Sequence, residues 1–268
     1  MSKACILIVL AAGLLGCSVG FKKFIWFMSV GYGLAMSCIA AALLVLSLVY
    51  KTSTLPFILL CAVIFIYGLR LGLFLLIRET KNAAYRKTLA SAGGDKKMKF
   101  PVLFSMWLMN GALFMMQTSP MYYRIQNVAR ETAANESVFL WIGVAISAIG
   151  LILEAVSDAQ KSAQKKENPD MVATKGLFKL CRCPNYFGEI LVWTGVLVSG
   201  LPVLRGWQWV VAIIGYVAIV YIMFNGAKRL ETRQTKRCWK MPEYVEYSNK
   251  TPIIIPFLPI YHLIDWRQ

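Results

Sequence analysis

The sequence predicts an all-α, polytopic membrane fold, and three observations carry that prediction. The 268-residue chain is 58% hydrophobic and only 16% charged, whereas soluble domains run near half apolar and a quarter charged. Apolar runs of 17 to 27 residues recur along it, and a helix of such length crosses roughly 30 Å of hydrocarbon. Its basic residues are also sorted by loop, as retention of Lys and Arg on the cytoplasmic side requires.

Seven spans are expected, at 4–20, 24–50, 55–77, 100–119, 137–156, 188–204 and 207–224. The first resembles a secretory signal, since Lys3 precedes an apolar stretch, but Gly20 leads into Lys22 and Lys23 rather than a cleavage site. It is read as a helix. With seven spans, the loops after spans one, three and five share a face with the C-terminal tail, and together they hold 23 of the 29 Lys and Arg residues. The opposite face holds 5, and Arg70 lies within the third span. The N-terminus is therefore expected outside and the C-terminus in the cytoplasm. Topology accounts for the net charge of +16, so no nucleic-acid partner is expected; the bilayer is the partner.

The chain reads as a single membrane domain over 1–268, with divergent N-terminal helices to residue 54 and the functional region over 55–268. It has no repeats. "SAGGDKKMK" (91–99) is a cytoplasmic loop tip and "QKSAQKKENPD" (160–170) a polar, breaker-ended segment; the cytoplasmic loops are long and charged, while the external loops are short. Chemistry is expected on the cytoplasmic side.

Seven cysteines raise the question of a disulfide or a metal. Cys5, Cys17, Cys38 and Cys61 fall in spans, where a thiol behaves as a small hydrophobe. Cys181, Cys183 and Cys238 face the reducing side, where disulfides are uncommon. Their C-x-C spacing is not that of a zinc site, and the sole histidine stands at 262. Inert thiols and no metal are expected.

Ionisable groups within the membrane are costly and mark candidate sites. Arg70 lies in "YGLRLGLFLLIR", with Tyr67 three residues earlier on the same helical face and Arg78 nearly in line. Arg70 is expected to face a pocket, while Arg78 can snorkel towards lipid phosphates. At the end of span five, Glu154 and Asp158 are i, i+4 neighbours, and Lys161 and Lys165 extend the stripe. Acid within and base outside suit a ligand with hydrogen-bonding groups at one end and phosphates at the other. Asn110 and Gln117 of span four are expected to serve as interhelical hydrogen-bonding glue.

The stretch "LFKLCRCPNYFGEILVWTG" (177–195) completes the pattern. Pro184 is suited to open a helix. Asn185 and Glu189 then share one face beside unpaired backbone amides, with Lys179 and Arg182 adding positive charge. Two helix ends, 154–165 and 182–189, are expected to line one cytoplasm-facing cavity that suits a phosphorylated cofactor.

"GLFKLCRCPNYFGEILVWTG" resembles the signature of membrane reductases related to steroid 5-alpha-reductases, and "SDAQKSAQKK" is similar to that family's D-x-Q-K stretch. "MPEYVEYSNKTPIIIPF" matches its terminal Tyr-x-x-Tyr followed by Ile-Pro, and "YGLRLGLFLLIRE" its third-helix element. The likeness is dense over about 157–257, thinner over 64–86 and absent before that. It implies a seven-helix fold that binds NADPH and reduces the C=C bond of a lipophilic α,β-unsaturated carbonyl compound, a 3-oxo-4-ene steroid being one candidate. Carried over by position, Asn185 and Glu189 would contact the nicotinamide end, with Tyr186 beside them. Asp158, Lys161 and Lys165 would line the cofactor pocket, Arg182 would lie near its phosphates, and Arg70, Tyr244 and Tyr247 would complete it. Tyr67, catalytic with Glu189, would bind the substrate carbonyl. Two departures stand out. Cys183 replaces the family histidine, and no Asp or Glu precedes Glu79, so the acid that partners the tyrosine in steroid-reducing relatives is missing. Tyr32 is the only large polar group suitably placed on span two, and it is the expected substrate-binding partner of Tyr67.

The alternative enzyme is an isoprenylcysteine- or phospholipid-type membrane methyltransferase using S-adenosylmethionine, which lacks the phosphates that Lys161, Lys165, Lys175, Lys179 and Arg182 suit. A transporter is the non-enzymatic alternative. Transporters often carry inverted repeats with broken helices in both halves, and no such pair is visible in the sequence.

Overall fold

Lipid offers no partner for backbone N–H and C=O groups, so apolar segments of this length fold as helices that satisfy themselves. All seven apolar segments do so. The computed structural model describes residues 4–91, 97–128, 135–169 and 171–265. Among them the chain forms α1 (Ala4–Cys17), α2 (Val30–Val49), α3 (Leu55–Lys81), α4 (Ala83–Ser91), α5 (Phe100–Val128), α6 (Asn135–Glu167), α7 (Pro184–Gly200), α8 (Gln208–Cys238) and α9 (Pro242–Lys250), with no strand.

Among the described residues, five helices are long and apolar enough to cross a membrane: α2, α3, α5, the part of α6 from Val138 on, and α8. The chain is accordingly an integral membrane protein. The first and sixth expected spans are the shorter helices α1 and α7, of 14 and 17 residues, about 21 and 26 Å long at 1.5 Å per residue.

Several boundaries differ from the sequence reading. The second segment opens as a 3-10 turn over Phe24–Met28, and Ser29 breaks the chain before α2 starts at Val30. The fourth runs to Val128 with Pro120 inside it, the fifth to Glu167 and the seventh to Cys238. Much of the polar, breaker-ended stretch over 160–170 is thus the last two turns of α6, in keeping with the helix end expected over 154–165. The loop tip expected over 91–99 lies largely outside the described residues.

The chain divides into two compact units. Unit 1 comprises Met1–Ala145 and Gly195–Tyr216. Here α2 packs on α1 and α3, and Gly33 meets Gly68 so closely that a Cβ on Gly33 would lie 2.5 Å from the Gly68 carbonyl oxygen. Met36, Ile39, Leu43, Phe57, Leu60 and Ile64 fill the resulting core. Buried Glu79 accepts from Lys23 Nζ at 2.7 Å and Trp26 Nε1 at 2.8 Å, which holds the Phe24–Met28 turn against the end of α3.

Unit 2 comprises Ile146–Thr194 and Val217–Gln268. In it α6 and α7 cross at Gly150 and Gly188, where a Cβ on Gly188 would lie 2.7 Å from the Gly150 carbonyl oxygen. Ser147 Oγ donates to the Val192 carbonyl at 2.9 Å beside that crossing. Val172, Cys238 and Tyr244 form a buried cluster with Met241 and Tyr247 packed on it, which docks α9.

Candidate functional site

The polar groups of unit 2 gather around the entrance to α7. Pro184 opens the helix as its fixed φ and missing N–H allow. Two residues earlier, the Arg182 backbone N–H donates to the Pro252 carbonyl at 2.8 Å, so the chain enters α7 tied to its own tail. The Arg182 guanidinium is buried, and Nη2 donates to Glu231 Oε1 at 2.6 Å. Glu231, equally buried in α8, is a hub. His262 Nδ1 lies 2.9 Å from Oε1, and the Leu263 N–H donates to Oε2 at 2.8 Å. The other imidazole nitrogen lies 2.9 Å from Asn249 Oδ1 at the end of α9.

Nε and Nη1 of Arg182 are buried and have no hydrogen-bond partner among the described residues. Asn185 Oδ1, on the first turn of α7, is buried and likewise accepts no hydrogen bond. A guanidinium stripped of water with two nitrogens unmatched favours an anion that accepts hydrogen bonds. The Asn185 oxygen favours an N–H donor.

Burial pushes the Cys183 thiol up to about 11, against the pull of Lys161 and Arg182. Those two cations therefore act on one point, one from the end of α6 and one from the entrance to α7. The same Arg182 charge opposes the burial that raises Tyr244 and Tyr247 above their ordinary values. Burial also takes the Cys181 thiol up to about 12. Both thiols are protonated at neutral pH.

Other expected cofactor residues lie in the same unit. Glu154, Asp158 and Glu189 are buried, and a Cβ on Gly188 would lie 2.8 Å from the Glu154 backbone nitrogen. The Tyr186 ring lies against Gly226, within 3.5 Å of where its Cβ would be. Tyr244 is fully buried with its hydroxyl 3.1 Å from Thr235 Oγ1, and the Tyr247 hydroxyl donates to the Phe178 carbonyl at 2.6 Å. Lys165 is turned onto the carbonyls of Pro169 and Met171, where it caps the connector after α6.

In unit 1 the two expected substrate residues meet. The Tyr67 hydroxyl donates to Tyr32 at 3.1 Å, with both side chains buried and the rings edge to face at 6.4 Å. Tyr32 thus stands where the missing acid was sought. Arg70 is one turn beyond Tyr67 on α3, with Nε and Nη2 buried. Arg78 does not snorkel freely: its guanidinium sits 4.0 Å over the Tyr85 ring. The expectation of interhelical glue needs correction too. Asn110 Nδ2 donates to Met106 of its own helix at 2.7 Å, while both amide atoms of Gln117 are buried with no partner.

Sequence reasoning missed the residues that position these groups. Glu231 is the sole acid of α8, set among Lys228, Arg229, Arg233, Lys236 and Arg237; an isolated acid in a basic run was the available signal. Gln160 and Gln164 were not singled out. Gln160 Oε1 accepts from the Leu177 N–H at 2.9 Å, and Gln164 Oε1 from Thr174 and Lys175. They fasten α6 to the connector at Gly176, whose φ of +68° suits a residue without Cβ. Three-way sharing of Glu231 with a histidine thirty-one residues away has no local signature.

The chain is similar to known proteins over part of its length. The chain is 27% identical to the steroid 5-alpha-reductase DET2 of Gossypium hirsutum over 130 residues, 46% of this chain and 45% of the relative. It is 27% identical to the DET2 of Arabidopsis thaliana over 126 residues, 45% of this chain and 43% of the relative. An uncharacterized protein of Schizosaccharomyces pombe, C7D4.09c, is 41% identical over 56 residues, 21% of this chain and 20% of that one. The alignments span less than half the length of each of these relatives. No solved structure matches. A family model described as "Protein of unknown function (DUF1295)" matches residues 21–251, and the chain belongs to that family, a membrane family related to steroid 5-alpha-reductases.

Proposed function

We propose that the protein is a membrane-embedded, NADPH-dependent reductase of the C=C bond of a lipophilic α,β-unsaturated carbonyl compound, with a 3-oxo-4-ene steroid as the first substrate to try. One observation carries the reading: the entrance to α7 holds a buried arginine with two unmatched nitrogens, Arg182, close in sequence to the unmatched Asn185 Oδ1. A phosphorylated cofactor bearing a carboxamide satisfies both. In this reading Arg182 and Lys161 hold phosphate charge, and Asp158 takes hydroxyl donors. Asn185 accepts from the carboxamide with Glu189 beside it. Tyr186, Tyr244 and Tyr247 wall the pocket. Lys165 acts at one remove, by shaping the connector. Seven spans, an external N-terminus and a cytoplasm-facing pocket belong to the same proposal.

NADPH, when bound, supplies the hydride. As it reaches the β-carbon, negative charge gathers on the carbonyl oxygen, and a donor aimed there lowers the barrier. Tyr67 is that donor. Once its O–H turns to the substrate, Tyr32 at 3.1 Å can reverse their hydrogen bond and donate to the Tyr67 oxygen, which makes Tyr67 the stronger donor. A proton then returns to the α-carbon.

The test is turnover of detergent-purified protein with NADPH and progesterone, read by mass spectrometry as a gain of two hydrogens. Tyr67→Phe is expected to lower kcat about 100-fold with unchanged NADPH affinity. Undiminished turnover in that variant contradicts the donor role. Binding of S-adenosylmethionine in place of NADPH contradicts the reductase.

A further inference from the structure

Gln117 of α5 is 3% exposed, and both its Oε1 and its Nε2 are buried without a hydrogen-bond partner. A buried amide left unmatched costs about 1–3 kcal/mol per group, and native proteins keep few such groups. Spacing places Gln117 on one stripe with Asn110, Phe114, Met121 and Arg124, all of them buried. The neighbours differ from it in one respect. Asn110 is satisfied by Met106, and Arg124 Nη1 donates to the Ser199 carbonyl at 2.9 Å. Phe114, one turn from Gln117, packs on the Tyr32 ring at 5.3 Å, and Tyr32 holds Tyr67. The unmatched amide therefore shares a helical stripe with the ring that packs on the phenol pair.

We propose that Gln117 is a specificity-determining residue, which binds a second polar group of the lipophilic substrate, a hydroxyl, remote from the carbonyl held at Tyr67. This deepens the reductase reading and rests on it. A primary amide presents one acceptor and two donors. A hydroxyl matches it best, giving its proton to Oε1 and taking one from Nε2. A ketone satisfies the donor alone. A carboxylate faces Oε1 with no proton to give, and a plain hydrocarbon leaves both atoms unmatched.

The experiment compares two probes that differ by one hydroxyl: testosterone, a 3-oxo-4-ene with a hydroxyl at its far end, and androst-4-en-3-one, which lacks it. Their affinities are measured on the full chain in detergent without cofactor, so the outcome does not depend on NADPH. Wild type is expected to bind testosterone roughly tenfold more tightly. Gln117→Leu, which keeps the bulk and removes the amide, is expected to bind the two equally, with androst-4-en-3-one held as well as by wild type. Its apo form is expected to melt no lower than wild type, because no hydrogen bond is lost. Gln117→Glu, which keeps an acceptor in place of the amide, should retain part of the preference. Equal affinities in wild type, or a preference that survives in Gln117→Leu, overturns the proposal. Failure of both steroids to bind wild type overturns it as well, and leaves the cofactor pocket of unit 2 standing if NADPH still binds. Failure of NADPH alone refutes the reductase reading and leaves the hydroxyl preference to be judged by its own data.

Discussion

Unit 2 and unit 1 both bury polar side chains, but they do so with different chemistry. Around the entrance to α7, Arg182 and Glu231 are charged, 2.6 Å apart and braced by His262 and Leu263. On the buried face of α5 and at the phenol pair, Tyr32, Tyr67, Asn110 and Gln117 are neutral. Unit 1 buries charge as well: Glu79 holds a turn at the end of α3, and Arg124, on the same α5 stripe as Gln117, donates to the Ser199 carbonyl. A buried charge has to be paired, so Arg182 and Glu231 are knitted into the fold by the tail. A neutral group can stay unmatched at lower cost, as both amide atoms of Gln117 do. The difference separates which substitutions should unfold the protein from which should only change what it binds.

The largest effect is expected where the charges are. Arg182→Met strands Glu231 in the interior and should lower stability by about 3–5 kcal/mol, read as a fall in melting temperature in detergent. Adding Glu231→Met should recover part of that loss, because no lone charge remains. A single variant as stable as wild type would erase the contrast between the units.

A smaller effect concerns pH. The Cys183 thiol has an ordinary value of 9.0 and is raised to about 11. The folded state then keeps a proton that the unfolded state releases, so this contribution is full below pH 9 and is lost as pH climbs through about 11. Its size is on the order of 1–3 kcal/mol. Cys183→Ser, whose hydroxyl does not titrate there, should show a shallower decline in melting temperature between pH 9 and 11. Equal slopes would mean that burial is not what governs this thiol.

Much of the helix framework was legible because apolar length is a strong signal. The helix end expected over 154–165 is present: Asp158 to Glu167 continues α6 beyond its apolar run through favourable helix formers such as Gln, Lys and Ala. The motif at 184–189 holds the buried, unmatched Asn185 Oδ1, while Lys165, expected on the cofactor stripe, is turned onto the carbonyls of Pro169 and Met171. Tyr32 was singled out by elimination, as the only large polar group suitably placed on span two, and it meets Tyr67. Glu231 and His262 stayed hidden because their contact joins distant points of the chain, and hydrophobic periodicity carries no information about that. Gln117 was misread because glue and ligand contact look alike in a sequence; only unmatched atoms tell them apart.

The most direct measurement is calorimetric titration of the detergent-purified chain with NADPH, for wild type and for Asn185→Leu/Glu189→Gln. Saturable binding to wild type, lost or weakened at least roughly tenfold in the double variant while its melting temperature holds, is what the α7-entrance site predicts. Equal NADPH affinity in the two proteins, or none in wild type, would contradict it.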